Sequence, residues 1–107
     1  MNGHKRLTSE ELVEELRSAL DADTGWIPAL ADFEGPVGVT TGAALDVVVA
    51  QLWEFVEAPA IPERVARHLA RAAEAADAAL VTEGTAQYGV LGTAYAYVLQ
   101  AQQAASG

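Results

Sequence analysis

The chain has 107 residues and carries 15 acidic side chains against 6 Lys or Arg, a net charge of −9. That length holds one domain around one core, and a sequence that is 51% hydrophobic has no disordered composition. The acidity excludes non-specific attraction to DNA, RNA or anionic lipid, and the absence of cysteine excludes disulfides, thiolate metal sites and thiol catalysis.

Alanine is abundant and β-branched residues are few, which points to an all-α protein. Residues 1–7 read as an N-terminal arm. The early positive residues of MNGHKRLTSEELVEEL have no apolar run behind them, so no cleavable signal peptide is expected. The expected location is the cytoplasm, or outside the cell by a route that cleaves no leader. Thr8 then fits an N-cap with Glu11 as its reciprocal partner, and Leu7 and Leu12 occupy the two staple positions. Leu12, Val13, Leu16, Ala19 and Leu20 follow at helical spacing, and the helix should stop near Asp21–Asp23.

Residues 25–41 are punctuated by Gly and Pro and read as a loop, with a short helical turn after Pro28 and with Trp26 and Phe33 pinning it to the core. Thr40 or Thr41 can cap the next helix, which runs to about Glu57. Leu45, Val48, Val49, Leu52 and Val56 form one stripe; Val47, Trp53 and Phe55 lie off it, so this helix is expected to be the most buried. A strand over LDVVVAQLWEFV is the competing reading, disfavoured by length and spacing. Pro59-Ala60-Ile61-Pro62 is a short connection with Pro62 at the first helical position, which makes the flanking helices antiparallel neighbours.

The third helix carries Val65, Leu69, Ala72, Ala76 and Leu80, and the same phase continues through Gly84, Tyr88, Leu91, Tyr95 and Val98. That continuity predicts one long, kinked helix across Thr82–Thr85, with residues 102–107 fraying at its end. The expected architecture is therefore a helical hairpin with a long kinked C-terminal helix and an additional N-terminal helix, in a bundle completed by oligomerisation.

The last 23 residues, Thr85 to Gly107, contain no charged side chain. Tyr88, Val90, Leu91, Tyr95, Tyr97, Val98 and Leu99 point in several directions, more than one neighbouring helix covers. Gly84, Gly92 and Ala96 add small residues that let another backbone approach, and tyrosine joins apolar area to a polar tip. The predicted protein interface is Tyr88, Leu91, Gly92, Tyr95, Ala96, Val98 and Leu99, with Trp53 as a further anchor if exposed. The competing reading is that the tyrosines fill the domain's own core.

Arg64, Arg67, His68 and Arg71 share one helix face and form a candidate site for an anion or acidic partner. Local pairing with Glu54, Glu57, Glu63 or Glu74 is the competing account. No metal site is expected: Glu63 precedes His68 by five residues rather than the three a bundle carboxylate–histidine motif uses. No cofactor or catalytic residue is expected either, since neither a nucleophile elbow nor a phosphate loop occurs. The stretches that are uncharged are too interrupted by Gln, Thr and Gly for a membrane span.

The segment from Thr41 to Ala105, with its Ala-rich hairpin, tight central turn and GTAQYGVLG, resembles the small WXG-like proteins of type VII secretion systems. That family consists of acidic, cysteine-free helical hairpins of roughly this length that pair into four-helix bundles. The resemblance implies pairing with a second copy or with a related helical chain. The family's W-x-G turn is absent, as is its Y-x-x-x-[DE] export signal, since Gly92, Leu99 and Ala101 stand four residues after Tyr88, Tyr95 and Tyr97. Export would then depend on a partner. The alternative from composition is a small structural subunit of a phage or other assembly; an immunity protein also fits the acidity.

Overall fold

A computed structural model of the chain describes residues 9–21, 24–36 and 42–106. Five helices account for most of them: α1 Ser9–Leu20, α2 Trp26–Asp32, α3 Gly42–Glu57, α4 Glu63–Leu80 and α5 Thr85–Ser106. No strand occurs among the described residues, so the fold is all-α and LDVVVAQLWEFV is helix. The expected caps Thr8, Thr40 and Thr41 and the staple residue Leu7 lie outside the described residues.

Neighbouring helices in space are α1 with α3, α3 with α4, and α4 with α5, while α2 touches both α1 and α5. The molecule is consequently a slab 19 Å thick. Because α4 alone packs between α3 and α5, it rather than α3 is the central helix. Its buried face is Val65, Leu69, Ala72, Ala73, Ala76 and Ala79. The four alanines keep that face flat and bring the neighbouring axes close. Burial of α3 follows the predicted stripe at Leu45, Val48, Val49 and Leu52. Phe55, set apart from that stripe in the sequence reading, is fully buried with it: it stands three residues after Leu52 and seven after Val48, and Phe33 from the α2–α3 connection meets it at 5.2 Å between ring centroids. The aromatics of residues 25–36 do pin that segment to the core, and its helical part begins at Trp26 itself.

Pro62 stands one position earlier than expected, as the N-cap of α4, and its carbonyl accepts the Val65 and Ala66 amides at 3.0 and 2.9 Å. The turn before it, Ala58–Ile61, is short enough to fold α4 directly back on α3, and the Trp53 indole N–H donates to Asp77 Oδ2 across the pair at 3.2 Å.

The single kinked helix is not what forms. The chain breaks between Leu80 and Thr85, and α5 returns along α4 in the most extensive helix–helix contact of the fold. Gly84 adopts φ +70, a left-handed conformation that side chains other than glycine resist. The carbonyls freed at the end of α4 are taken locally: Thr82 Oγ1 donates to Ala78 O at 2.7 Å and Gln87 Nε2 to Ala79 O at 2.9 Å.

The tail also differs from expectation. Helix α5 continues to Ser106, and Gln102, placed by its sequence position in a fraying end, donates from Nε2 to Leu30 O at 2.9 Å and to Phe33 O at 3.0 Å. One turn earlier Val98 packs beside Gly35, whose φ is +66: a Cβ there would stand in ordinary contact, 3.4 Å from Val98 Cγ2. The connection after α2 is thus clamped onto the C-terminal half of α5.

Helix α1 is held less broadly. The Arg17 guanidinium forks onto Glu54, Nε to Oε1 at 3.0 Å and Nη2 to Oε2 at 2.8 Å. Leu20 is buried, Leu16 packs on the core, and Leu12 of the predicted apolar set is exposed. With Glu10 and Asp46 at one end and Arg17 and Glu54 at the other, α1 runs parallel to α3.

Candidate interaction surface

An isolated helix of 22 residues without one charged side chain must be covered by something or leave uncharged surface in water. Here α4 and α2 cover one side of α5: Leu91 is 6% exposed, and Ala94, Val98 and Ala101 are fully buried. Leu91 and Val98 therefore belong to the chain's own core, and their place in the predicted interface is corrected. Their side chains lie about a quarter of a turn from the outer stripe, on the side of α5 that the rest of the chain covers.

The outer stripe is Tyr88, Gly92, Tyr95, Ala96 and Leu99, at spacings of three and four that keep one face. Tyr88 is 60% exposed, Tyr95 36% and Leu99 40%. A Cβ added at Gly89 or at Gly92 would meet nothing within 4 Å. The stripe thus alternates large side chains with shallow gaps. Its flanks are Thr85, Thr93, Gln100 and Gln103, which are polar but uncharged, so α5 is not apolar on every side. Thr93 Oγ1 donates to Gly89 O at 3.2 Å, which returns one of these hydroxyls to its own helix. The outer face of α5 accordingly combines apolar bulk, small residues and no charge, the composition of the centre of a docking surface.

Trp53 is elsewhere. It is half-buried against the core between α3 and α4, and its N–H is committed to Asp77, so it joins two helices of the same chain.

The basic group on α4 is only partly neutralised. Arg67 meets Glu63 at 3.4 Å, and Glu54, one of the acids expected to pair with this group, is taken by Arg17 instead. Among the described residues Arg64 and Arg71 form no ion pair, and both are exposed. His68 is half-buried beside them. No described polar or charged side chain is buried.

Two features escaped the sequence. One is the Gln102 tie. The other is a groove of about 670 Å³ between α1 and α3, lined by Glu10, Val13, Glu14, Arg17, Asp46, Val47 and Ala50. In sequence Glu10 and Glu14 look like an ordinary solvated helix face, and only the parallel setting of α1 on α3 brings them opposite Asp46.

Titration is perturbed at the Arg17–Glu54 fork. The hydrogen bonds from Arg17 hold the Glu54 carboxyl below the usual carboxylate range, and the same contact raises the guanidinium. Among the described residues no three His, Asp or Glu side chains gather as metal ligands, and no helix is long and apolar enough to cross a membrane. No protein-family model, no curated protein and no solved structure matches this chain.

Proposed function

We propose that this chain is a non-catalytic helical interaction protein that acts by pairing, through the outer face of α5, with a second copy of itself or with a related helical chain. The observation that carries the reading is the exposed stripe Tyr88–Gly92–Tyr95–Ala96–Leu99 on a helix with no charge. Two copies that each carry a net charge of −9 repel over most orientations, and an uncharged face is where that repulsion is least. Tyrosine and leucine supply the buried area such a contact needs, and the gaps at Gly89, Gly92 and Ala96 receive the partner's bulk.

Service in type VII secretion rests on the resemblance of Thr41–Ala105 to the WXG-like proteins. In that segment the chain forms three helices, α3, α4 and α5, where the family's hairpin has two. Size, acidity, lack of cysteine and the GTAQYGVLG stretch are what support the link. A structural subunit of a larger assembly is the second reading, favoured by the flat shape, whose thin dimension of 19 Å suits a molecule that tiles with its neighbours.

Light scattering on the pure protein, beside Tyr95→Asp, tests the proposal. Tyr95→Asp places a carboxylate inside the contact; Tyr95 is only 36% exposed, so circular dichroism checks that the variant is folded and Tyr88→Asp, at the 60% exposed end of the stripe, repeats the test. A buried unpaired carboxylate costs several kcal/mol, enough to weaken a dimer by about a hundredfold or more. A dimer that Tyr95→Asp converts to a monomer supports pairing, and a ring of higher order supports the assembly reading. A monomer that pairs only with a second helical protein supports the heterodimer. A monomer in every mixture, indifferent to Tyr95→Asp, refutes all three.

A further inference from the structure

We propose that the groove between α1 and α3 receives a basic, amphipathic segment of another protein. Its floor is apolar, formed by Val13, Val47 and Ala50, each of which is only half-buried. Its rim is acidic: Glu10 and Glu14 on α1 face Asp46 on α3. Arg17 closes one end, but its guanidinium is committed to Glu54 by two hydrogen bonds at 3.0 and 2.8 Å and reaches Glu14 at 3.3 Å. Glu10 and Asp46 have no ion-pair partner among the described residues. Glu10 and Glu14, four residues apart on one helix, also repel each other, which an opposing cation relieves.

A groove between two helices with an apolar lining and carboxylates on both of them matches a helix that puts aliphatic side chains inward and Lys or Arg toward the carboxylates. The rim then bonds the cations while the floor takes the aliphatic groups. A second copy of this chain fits poorly. Among the described residues its basic stripe, Arg64, Arg67, His68 and Arg71, carries no exposed large aliphatic side chain between the cations. Its α5 face has bulk but no charge to offer the rim. Neither described face of a second copy supplies both features at once, which points to a different polypeptide, and the net charge of −9 speeds its approach. The groove is lined by α1 and α3 and shares no residue with the outer face of α5, so the inference stands independently of the pairing described above.

The test is titration calorimetry of the full chain with a short synthetic Leu–Lys amphipathic helix, and with a Leu–Glu helix of the same pattern. Three variants accompany it: Ala50→Phe, which fills the floor; the pair Glu10→Gln and Asp46→Asn, which neutralises the rim; and Glu74→Gln with Glu83→Gln, which removes equal charge far from the groove. Circular dichroism checks that each is folded. Saturable one-to-one binding of the Leu–Lys helix is expected, weakened about tenfold by the floor variant and by the rim pair and less than about twofold by the distant pair. The Leu–Glu helix should not bind. The inference is overturned if the Leu–Lys helix does not bind saturably. It is equally overturned if the distant pair weakens binding as much as the rim pair, or if folded variants of both groove types bind like the parent.

Discussion

Replacing Gln102 by Ala removes a side chain that ties the end of α5 to the C-terminal turn of α2 and the residue after it. Two hydrogen bonds are lost, to Leu30 O at 2.9 Å and Phe33 O at 3.0 Å. They are unequal. The Leu30 carbonyl still accepts the Phe33 amide at 3.2 Å, so its loss is the smaller. No second donor meets Phe33 O among the described hydrogen bonds. With a net worth of about 0.5 to 1.5 kcal/mol per bond, the substitution should cost about 1.5 kcal/mol. In urea that lowers the midpoint by about 0.5–1.5 M at unchanged slope. Far-UV dichroism and tryptophan fluorescence, the latter sensitive to buried Trp26 in α2, should move together. Gln102→Glu should cost more near neutral pH, because a carboxylate then faces two carbonyl oxygens, and should recover part of the loss when protonated. A cost below about 0.5 kcal/mol for Gln102→Ala would mean that the C-terminal turns contribute no net support and fray as their sequence suggests.

Gly84 and Gly35 both stand in the left-handed region, so Gly84→Ala and Gly35→Ala should each cost about 1–2 kcal/mol from backbone strain by urea denaturation. An added methyl meets nothing within 4 Å at Gly84 and only ordinary contact with Val98 at Gly35, so the two costs should be similar. A much larger cost at Gly35 would contradict this. The Glu54 carboxyl is held low by Arg17, so its contribution is complete above the ordinary carboxylate range and is lost as pH falls through the depressed value. Acid should therefore loosen α1 from α3, visible as faster amide exchange in α1 below about pH 4, and Glu54→Gln should remove that pH dependence.

Much of the helical content was legible because it is written in local terms. Apolar spacing placed α1, α3 and α4, the Pro-rich turn joined the latter two, and Trp26 and Phe33 announced that the loop between α1 and α3 was anchored. The break at Gly84 was hidden by an accident of phase: α4 and α5 bury the faces they turn toward one another, so their apolar residues continue in steps of three and four across the turn. Thr82 and Gln87, which take the last carbonyls of α4, were the local signal that periodicity overrode. Phe55 was set off the stripe because the stripe was drawn too narrowly: it is seven residues after Val48 and three after Leu52, and all three are buried. In the uncharged tail Tyr88, Leu91, Tyr95 and Val98 follow one another in steps of three and four, so spacing did not separate the buried Leu91 and Val98 from the exposed Tyr88, and composition left open which side the chain itself would cover. The Gln102 tie and the α1–α3 groove each join residues far apart in sequence, and no local pattern encodes them.

Because the chain has no cysteine, a single Ala96→Cys provides a unique thiol in the middle of the outer α5 stripe. Its rate of disulfide dimer formation under mild oxidation, measured beside Ala78→Cys on the exposed face of α4, tests most directly whether this surface meets its own copy. A disulfide needs the two Cα atoms within about 7 Å, which pairing through α5 allows at its crossing point and random collision rarely supplies. The account predicts that Ala96→Cys cross-links far faster than Ala78→Cys and that adding Tyr88→Asp abolishes the difference. Equal, slow rates at both positions, in a protein that pairs with itself all the same, would contradict it.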